Sequence, residues 1–506
     1  MAVGAPSSHA ATSSYCRVAT APVATPEAAT GDTHAAYAPN PWVETERDRL
    51  STFAADVDTA SYTYSRRAID GGALPPAAAV RVEEFVNAFP YAFGAPRKGS
   101  PFAVVMDAAP SPFDPRHHVV RVGVATPGKP LSQRAPMNLV FLVDVSGSMD
   151  QADKLGLAKQ SLRTLVASLG AGDSVALVTY AGSTEVVLPA TSGAEHRAIL
   201  AAIERLRADG STAMGSGLEL AYQQARARLS AKAASRVIVL SDGDANVGPS
   251  SLDEMLQIID RGRRDGVTLS TIGFGMGNYR AELMEQLGDR GNGNNYYVDS
   301  AAAATKLFTT DLVAMLEVAA KDVKLQVDFD PTMVARYRLL GYENRAIADA
   351  DFRVDTVDAG EVGVGHQVTA LYEVLPPGAG AAGVDPLKYQ QAVASAAAAS
   401  DELMQVKLRF KRPASETSEL LAFPVQDRGH SLDAATADLR FAAAVALFGM
   451  KLRGSEYAGT LSYAAVRELA AGALGDDPHG HRRGMLALVD RAAALSGERP
   501  AALRAE

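Results

Sequence analysis

Residues 138–149 read Asn138-Leu-Val-Phe-Leu-Val-Asp144-Val-Ser146-Gly-Ser148-Met149. An unbroken apolar run, 139–143, stops abruptly at Asp-x-Ser-x-Ser. A short apolar run without polar alternation is what a strand covered on both faces requires. A carboxylate and two hydroxyls at its end fall where open α/β sheets hold ligands, beyond the carboxyl ends of the strands at a topological switch point.

Outward from this strand, 137–318 repeats one pattern. Apolar runs recur at 175–180, 237–240 and 267–273, with weaker ones at 185–188 and 296–298. Between them lie amphipathic stretches near 152–169, 194–207, 214–230, 251–264, 279–288 and 301–318. Strands alternating with helices predict a doubly wound, mostly parallel, Rossmann-like α/β domain. Two more loops converge on the end of the first strand: Gly210-Ser211-Thr212, before a helix from Met214, and Asp242-Gly243-Asp244, after the run ending in Ser241.

The flanks differ in kind. Residues 1–40 are rich in Ala, Ser, Thr, Pro and Gly and read as a disordered arm, too poor in large apolar groups to offset its ordering entropy. Residues 41–95 read as helical, with Val80, Val82, Phe85, Val86 and Phe89 at the spacing of a buried helical face. Residues 96–136 carry strands near 101–108 and 117–126. Residues 319–430 return to strands near 323–329, 334–340, 367–375 and 403–411, with an Ala/Gly-rich excursion near 376–400. Residues 431–506 read as helices, at about 433–452, 455–473 and 482–495. Each set of flanking strands is too small for its own core. The two sets are therefore expected to join into one β-sandwich, with the α/β domain inserted between its strands.

Asp144, Ser146, Ser148, Thr212 and Asp242 are hard oxygen donors. Mg²⁺ takes about six such ligands and usually keeps several waters; Mn²⁺ and Ca²⁺ are the alternatives. Two carboxylates near the ion leave it Lewis acidic, with room for an incoming carboxylate. Asp244 fits either a second ion site or an Asx turn. Asp56 and Asp58 invite a metal reading, but helix capping by Asp58 or Thr59 is preferred. His117 and His118 point to opposite faces of a strand and cannot chelate together. His479-Gly-His481 has metal-like spacing in a polar loop.

The five donors resemble the metal-ion-dependent adhesion site (MIDAS) of the von Willebrand factor type A family, and the resemblance covers 137–318. Leu50-Ser-Thr-Phe-Ala-Ala-Asp-Val-Asp-Thr-Ala-Ser-Tyr62, Val80-Arg-Val-Glu-Glu-Phe-Val-Asn-Ala-Phe89 and Tyr337-Arg-Leu-Leu-Gly-Tyr-Glu-Asn-Arg345 are similar to the flanks of bacterial YfbK-like proteins. So is Asp358-Ala-Gly-Glu-Val-Gly-Val-Gly-His-Gln-Val-Thr-Ala-Leu-Tyr-Glu373. The resemblance implies a non-enzymatic protein that binds a partner's Asp or Glu through the metal. It also admits a second role, as partner of an AAA+ ATPase of MoxR or chelatase type. It further implies a cell-envelope setting, although Cys16 lacks a lipobox and no apolar signal core precedes it.

Composition narrows the rest. A net charge of −9 argues against nucleic acid, which needs clustered Lys and Arg. The short basic clusters Arg261, Arg263, Arg264 and Arg482, Arg483 read as solvated helix faces. One cysteine allows no intramolecular disulfide. No stretch is long and apolar enough to span a membrane. The chain has no Gly-x-x-x-x-Gly-Lys-[Ser/Thr] loop, no Gly-x-Ser-x-Gly elbow and no His-Glu-x-x-His, so neither its own nucleotide site nor a hydrolase, nor any small-molecule substrate, is expected.

Overall fold

The computed structural model describes residues 31–55, 57–210, 213–243, 251–357, 359–379, 402–427 and 429–498. Strands β1 (Val43–Glu44) and β2 (Leu50–Ala54) precede helices α1 (Ala60–Asp70) and α2 (Val82–Asn87) and strands β3 (Ala103–Pro110) and β4 (His118–Ala125). The α/β domain follows: β5 (Met137–Asp144), α3 (Leu157–Val166), β6 (Ser174–Tyr180), β7 (Thr184–Ser192), α4 (His196–Arg205), α5 (Met214–Arg226) and β8 (Ala234–Ser241). It continues through α6 (Leu252–Arg264), β9 (Val267–Phe274), α7 (Ala281–Arg290), β10 (Asn295–Val298), α8 (Ala301–Thr305) and α9 (Leu312–Leu316). Strands β11 (Val318–Phe329), β12 (Arg336–Leu340), β13 (Val362–Gly363), β14 (Gln367–Leu375), β15 (Glu402–Lys411) and β16 (Ser418–Gln426) come next. Helices α10 (Ala437–Arg453), α11 (Tyr463–Ala471) and α12 (His481–Ser496) close the described chain.

The middle sheet has the order β10-β9-β8-β5-β6-β7, parallel except for β7. Every residue of β5 is buried, and its side chains divide by parity, as a pleated strand demands. Leu139, Phe141 and Val143 enter the layer with Leu162, Leu165, Ile199 and Phe308. Val140 and Leu142 enter the opposite layer with Leu218, Tyr222 and Ile259. A buried leucine such as Leu142 contributes about 2 kcal/mol. The chain moves from β5 to β6 on one side and later to β8 on the other. The crevice between β5 and β8 is therefore the switch point.

The two flanks meet. β4 pairs with β14 and β3 in the sheet β1-β12-β14-β4-β3. A second antiparallel sheet runs β13-β11-β15-β16, with β2 also on β11. Phe53, Phe102, Val120, Leu325, Val327, Tyr372, Val406 and Phe410 share one core between these sheets, so the α/β domain is an insertion into a β-sandwich. The helical flanks form a separate core, in which α10 is buried almost all round, packed against α2 and α11, with α12 on α11 and α1.

Several expectations need correction. Within the segment read as helical, β1 and β2 are strands, because β12 and β11, nearly three hundred residues away, supply their partners. The stretch 301–318 is not one helix. A π turn at Lys306–Thr310 separates α8 from α9. Thr305 and Thr309 donate their hydroxyls back to the carbonyls of Ala301 and Thr305, a contact that bends helices. Asp58 is not a cap: its buried carboxylate accepts from the Asn295 amide of β10 at 3.0 Å, and Thr59 makes no side-chain cap. Arg482 is not solvated. It is buried, donating to Asp438 at 2.5 Å and to the Pro90 carbonyl at 2.9 Å. Residues 380–401, most of the Ala/Gly-rich excursion, lie outside the described residues, as do Cys16 and Asp56.

Residues 31–40, assigned by composition to the arm, pack as a strap. Thr33 bridges Arg280 in parallel, and Asn40 donates to the carbonyls of Leu339 and Gly341. A few specific polar anchors hold it, which average composition does not register. His34 lies against Tyr64, centroid to centroid 4.6 Å, and its buried Nε2 has no hydrogen-bond partner among the described residues. Burial pushes its pKa down from 6.5 to about 4; Asp32 opposes the fall and Arg81 adds to it. The undocked strap therefore binds the extra proton between those values. Docking is at full strength above pH 6.5 and weakens as pH falls toward 4, by roughly 1.4 kcal/mol per pH unit. Limited proteolysis within 31–40 is expected to quicken between about pH 7.5 and about pH 5, and in His34→Phe to change little. An equal response in both proteins would contradict this.

Candidate metal centre

Asp144 is the last residue of β5, and Asp242 follows the last residue of β8. Because β5 and β8 are adjacent and parallel, with Val143 opposite Leu240, the two carboxylates are carried to the same end of the crevice. Both are fully buried. Asp144 Oδ1 accepts from the Ser146 amide at 2.9 Å. Its Oδ2 accepts from Ser241 Oγ at 2.8 Å and from the Tyr180 hydroxyl at 3.1 Å. Ser146 Oγ and Ser148 Oγ stand 3.0 Å apart, and the exposure of Gly147 and the half-burial of Ser148 open this side to solvent.

The described residues that lead toward Thr212 are drawn to the same place. Asp209 N donates to the Val145 carbonyl at 2.7 Å, and Gly147 N to the Gly210 carbonyl at 3.0 Å. Gly210 holds φ +88°, and a Cβ there would crowd the Gly182 amide at 3.1 Å, so the turn favours glycine. Thr212 itself, like Asp244, lies outside the described residues. Asp144, Ser146, Ser148 and Asp242 are described, and they converge.

Burial pushes the Asp144 carboxyl up to about 6, and the Asp242 charge adds to the rise; the Ser146 and Ser241 hydrogen bonds oppose it. Burial, with Asp144 beside it, holds the Tyr180 hydroxyl well above its ordinary value. Two buried carboxylates that repel one another, with the buried Ser146 hydroxyl and the half-buried Ser148 hydroxyl beside them, make an oxygen-only donor set. It fits a hard divalent ion. Among the described residues no group of three or more His, Cys, Asp or Glu clusters in a metal-holding array, so the hydroxyls are essential to that fit.

Sequence reasoning missed two residues here. Lys154 lies in a π turn, Ala152–Gly156, before α3. Its Nζ donates to Asp242 Oδ2 at 3.0 Å and to Asn278 Oδ1 at 2.7 Å. Asn278 Nδ2 in turn donates to Asp242 Oδ2 at 3.1 Å. A signal for Lys154 was present: it shares a helical face with Ala158, Ser161 and Leu165, all buried. Asn278 follows β9 at the same sheet end as the aspartates.

A cavity of about 410 Å³ lies elsewhere, bounded by Tyr62, Phe89, Leu307 and Leu488. Its cations are neutralised locally, Arg66 by Asp299, Lys306 by Asp311 and Arg491 by Asp70.

This sheet order, with oxygen donors at the switch point, defines the class as a von Willebrand factor type A domain protein. The family model for that domain matches residues 138–310. A model described as von Willebrand factor matches 28–121, and one described as uncharacterized protein YfbK, C-terminal, matches 314–495. The chain is 40% identical over 466 residues to the uncharacterized protein YfbK of Escherichia coli (strain K12), covering 90% of this chain and 80% of that one. It belongs to the YfbK family. The uncharacterized protein sll0103 of a Synechocystis strain is 27% identical over 212 residues, covering 42% of this chain and 49% of its own. Among solved structures, a von Willebrand factor type A protein from Catenulispora acidiphila aligns at TM-score 0.39 and 17% identity, over 74% of this chain and 86% of that one. The ArnB paralog VWA2 from Sulfolobus acidocaldarius aligns at 0.34 and 16%, over 79% and 100%. A von Willebrand factor type A domain suggests an interaction or scaffold role.

Proposed function

We propose that this chain is a non-enzymatic, metal-dependent protein-binding protein. Asp144, Ser146, Ser148, Thr212 and Asp242 would hold Mg²⁺, with Mn²⁺ or Ca²⁺ as substitutes. The observation that carries the reading is the pair of fully buried carboxylates at the ends of β5 and β8, beside the buried Ser146 hydroxyl and the half-buried Ser148 hydroxyl. When bound, the ion supplies Lewis acidity toward an oxygen donor from outside. The chain's own part is to hold Asp144 rigidly through Ser241, Tyr180 and the Ser146 amide, and to set the buried Ser146 hydroxyl beside the half-buried Ser148 hydroxyl. A partner's Asp or Glu is the natural occupant, because the Lys154 ammonium on Asp242 leaves a divalent ion and the two carboxylates with one positive charge in excess.

Calorimetric titration with Mg²⁺ tests the site. The unaltered protein is expected to bind, and Asp144→Ala and Asp242→Ala are each expected to abolish binding with the circular dichroism unchanged. Equal binding in all three proteins would overturn the assignment. Partner recovery with Mg²⁺ and again with EDTA tests the role, and an AAA+ ATPase among the EDTA-sensitive partners would favour the adaptor reading.

A further inference from the structure

Lys154 is 3% exposed, although a lysine costs nothing at a surface and several kcal/mol when its charge is taken from water. Its burial is built rather than incidental. Gly275, at φ +69°, lets the backbone after β9 close over the lysine stem; a Cβ there would lie 2.3 Å from Lys154 Cγ. Gly243, at φ +78°, lets the Asp242 loop approach the same segment; a Cβ there would meet the Arg280 amide at 2.7 Å. Asn278, between these contacts, binds both the ammonium and Asp242 Oδ2. Two positive-φ glycines and one bridging amide thus press a fixed cation onto one of the two carboxylates of the metal centre.

We propose that Lys154 is a tethered counter-charge that keeps this centre's affinity for a free divalent cation low, so that full occupancy depends on an anionic ligand arriving with the ion. The inference rests on the metal reading given above. The ammonium already takes up much of the charge of Asp242, leaving Asp144 as the uncompensated carboxylate. A divalent ion that uses Asp242 sits within one carboxylate of that ammonium and is repelled by it. A carboxylate from outside restores the missing negative charge, so ion and acidic ligand favour each other's binding, and by linkage the coupling is reciprocal. Lys154 acts through its charge on Asp242 and is not itself a ligand.

The two roles open to a buried lysine here give opposite signs. If Lys154 only holds Asp242 in place, its removal loosens the carboxylate and weakens metal binding. If it is a counter-charge, its removal strengthens binding. The test is calorimetric titration of the full chain with Mg²⁺ alone, and again with acetate present as a simple carboxylate. Lys154→Met keeps the apolar stem against Gly275; Lys154→Gln is a second neutral variant should the first fold poorly; Lys154→Arg keeps the charge. Removing a unit charge so close to a divalent site is worth roughly ten- to a hundredfold in affinity. Lys154→Met and Lys154→Gln are therefore expected to bind Mg²⁺ at least roughly tenfold more tightly than the unaltered protein. Acetate is expected to raise the affinity of the unaltered protein more than that of either neutral variant. Lys154→Arg is expected to stay near the unaltered protein. Neutral variants that bind Mg²⁺ no tighter, while Asp144→Ala still abolishes binding, would overturn this inference and leave the metal site standing. Binding unaffected by Asp144→Ala would instead remove the site itself.

Discussion

Glu373→Ala is expected to cost about 3–5 kcal/mol of stability, the range for leaving one partner of a buried ion pair unmatched. Glu373 of β14 stands directly across from Arg338 of β12, and both side chains are 3% exposed. Glu373 Oε2 accepts from Arg338 Nη2 at 2.7 Å, and its Oε1 meets His117 Nδ1 at 2.7 Å. The Arg338 guanidinium also lies over the Tyr457 ring at 4.0 Å and near the Trp42 ring at 5.6 Å. One carboxylate therefore balances the cation around which the N-terminal segment, the sandwich and the C-terminal helices meet. Without it the guanidinium keeps its charge, since Arg does not deprotonate in proteins, and has no route to water. Trp42 is the only tryptophan, so its fluorescence during urea unfolding reports on this junction. The double variant Arg338→Met/Glu373→Leu is expected to recover most of the loss, because an apolar pair of similar volume avoids the desolvation of both charges. A single variant within about 1 kcal/mol of the unaltered protein would show that water reaches the cation.

What the sequence disclosed and what it hid divide by range. β5 and β8 were legible because a continuous apolar run is a local pattern, and Asp144, Ser146, Ser148 and Asp242 were legible because they sit at the ends of such runs. The sandwich followed from the insufficiency of either flank alone. The pairing partners did not, since the bond of β2 to β11 and of β1 to β12 spans most of the chain. The polar groups that surround the donors were hidden for the same reason. Tyr180 and Ser241 read as the last residues of two strands, and nothing local says that both hydroxyls reach Asp144. The arm at 1–40 was misjudged in its last ten residues, because docking there depends on single anchors such as Asp32 and Asn40 and not on how many large apolar side chains the segment carries.

The most exacting of those anchors is Asp32. Its Oδ1 accepts from the amides of Gly277 at 2.7 Å and Tyr279 at 2.6 Å, and its Oδ2 accepts from the Tyr64 hydroxyl at 2.7 Å. One carboxylate from the strap thus fixes the two amides that flank Asn278, and joins them to α1. Hydrogen bonds to a charged acceptor are worth about 1.5–3 kcal/mol each, and more is lost where the donors stay buried. Tyr279 and Tyr64 are buried, whereas Gly277 is exposed and can turn to water. Asp32→Ala is therefore expected to weaken strap docking by about 3 kcal/mol, the sum for two donors rather than three. Because a factor of ten corresponds to about 1.4 kcal/mol, the Tyr279 amide should exchange with solvent about a hundredfold faster, and the Gly277 amide by a smaller factor. Asp32→Asn keeps an acceptor oxygen but loses the charge, and is expected to fall between. The strands β5 and β8 lie behind this loop and owe their burial to both helical layers, so their amides should be unaffected. Exchange at Tyr279 that stays unchanged in Asp32→Ala would mean that Gly243 and Gly275 hold the loop by packing alone, and that the strap merely lies over it.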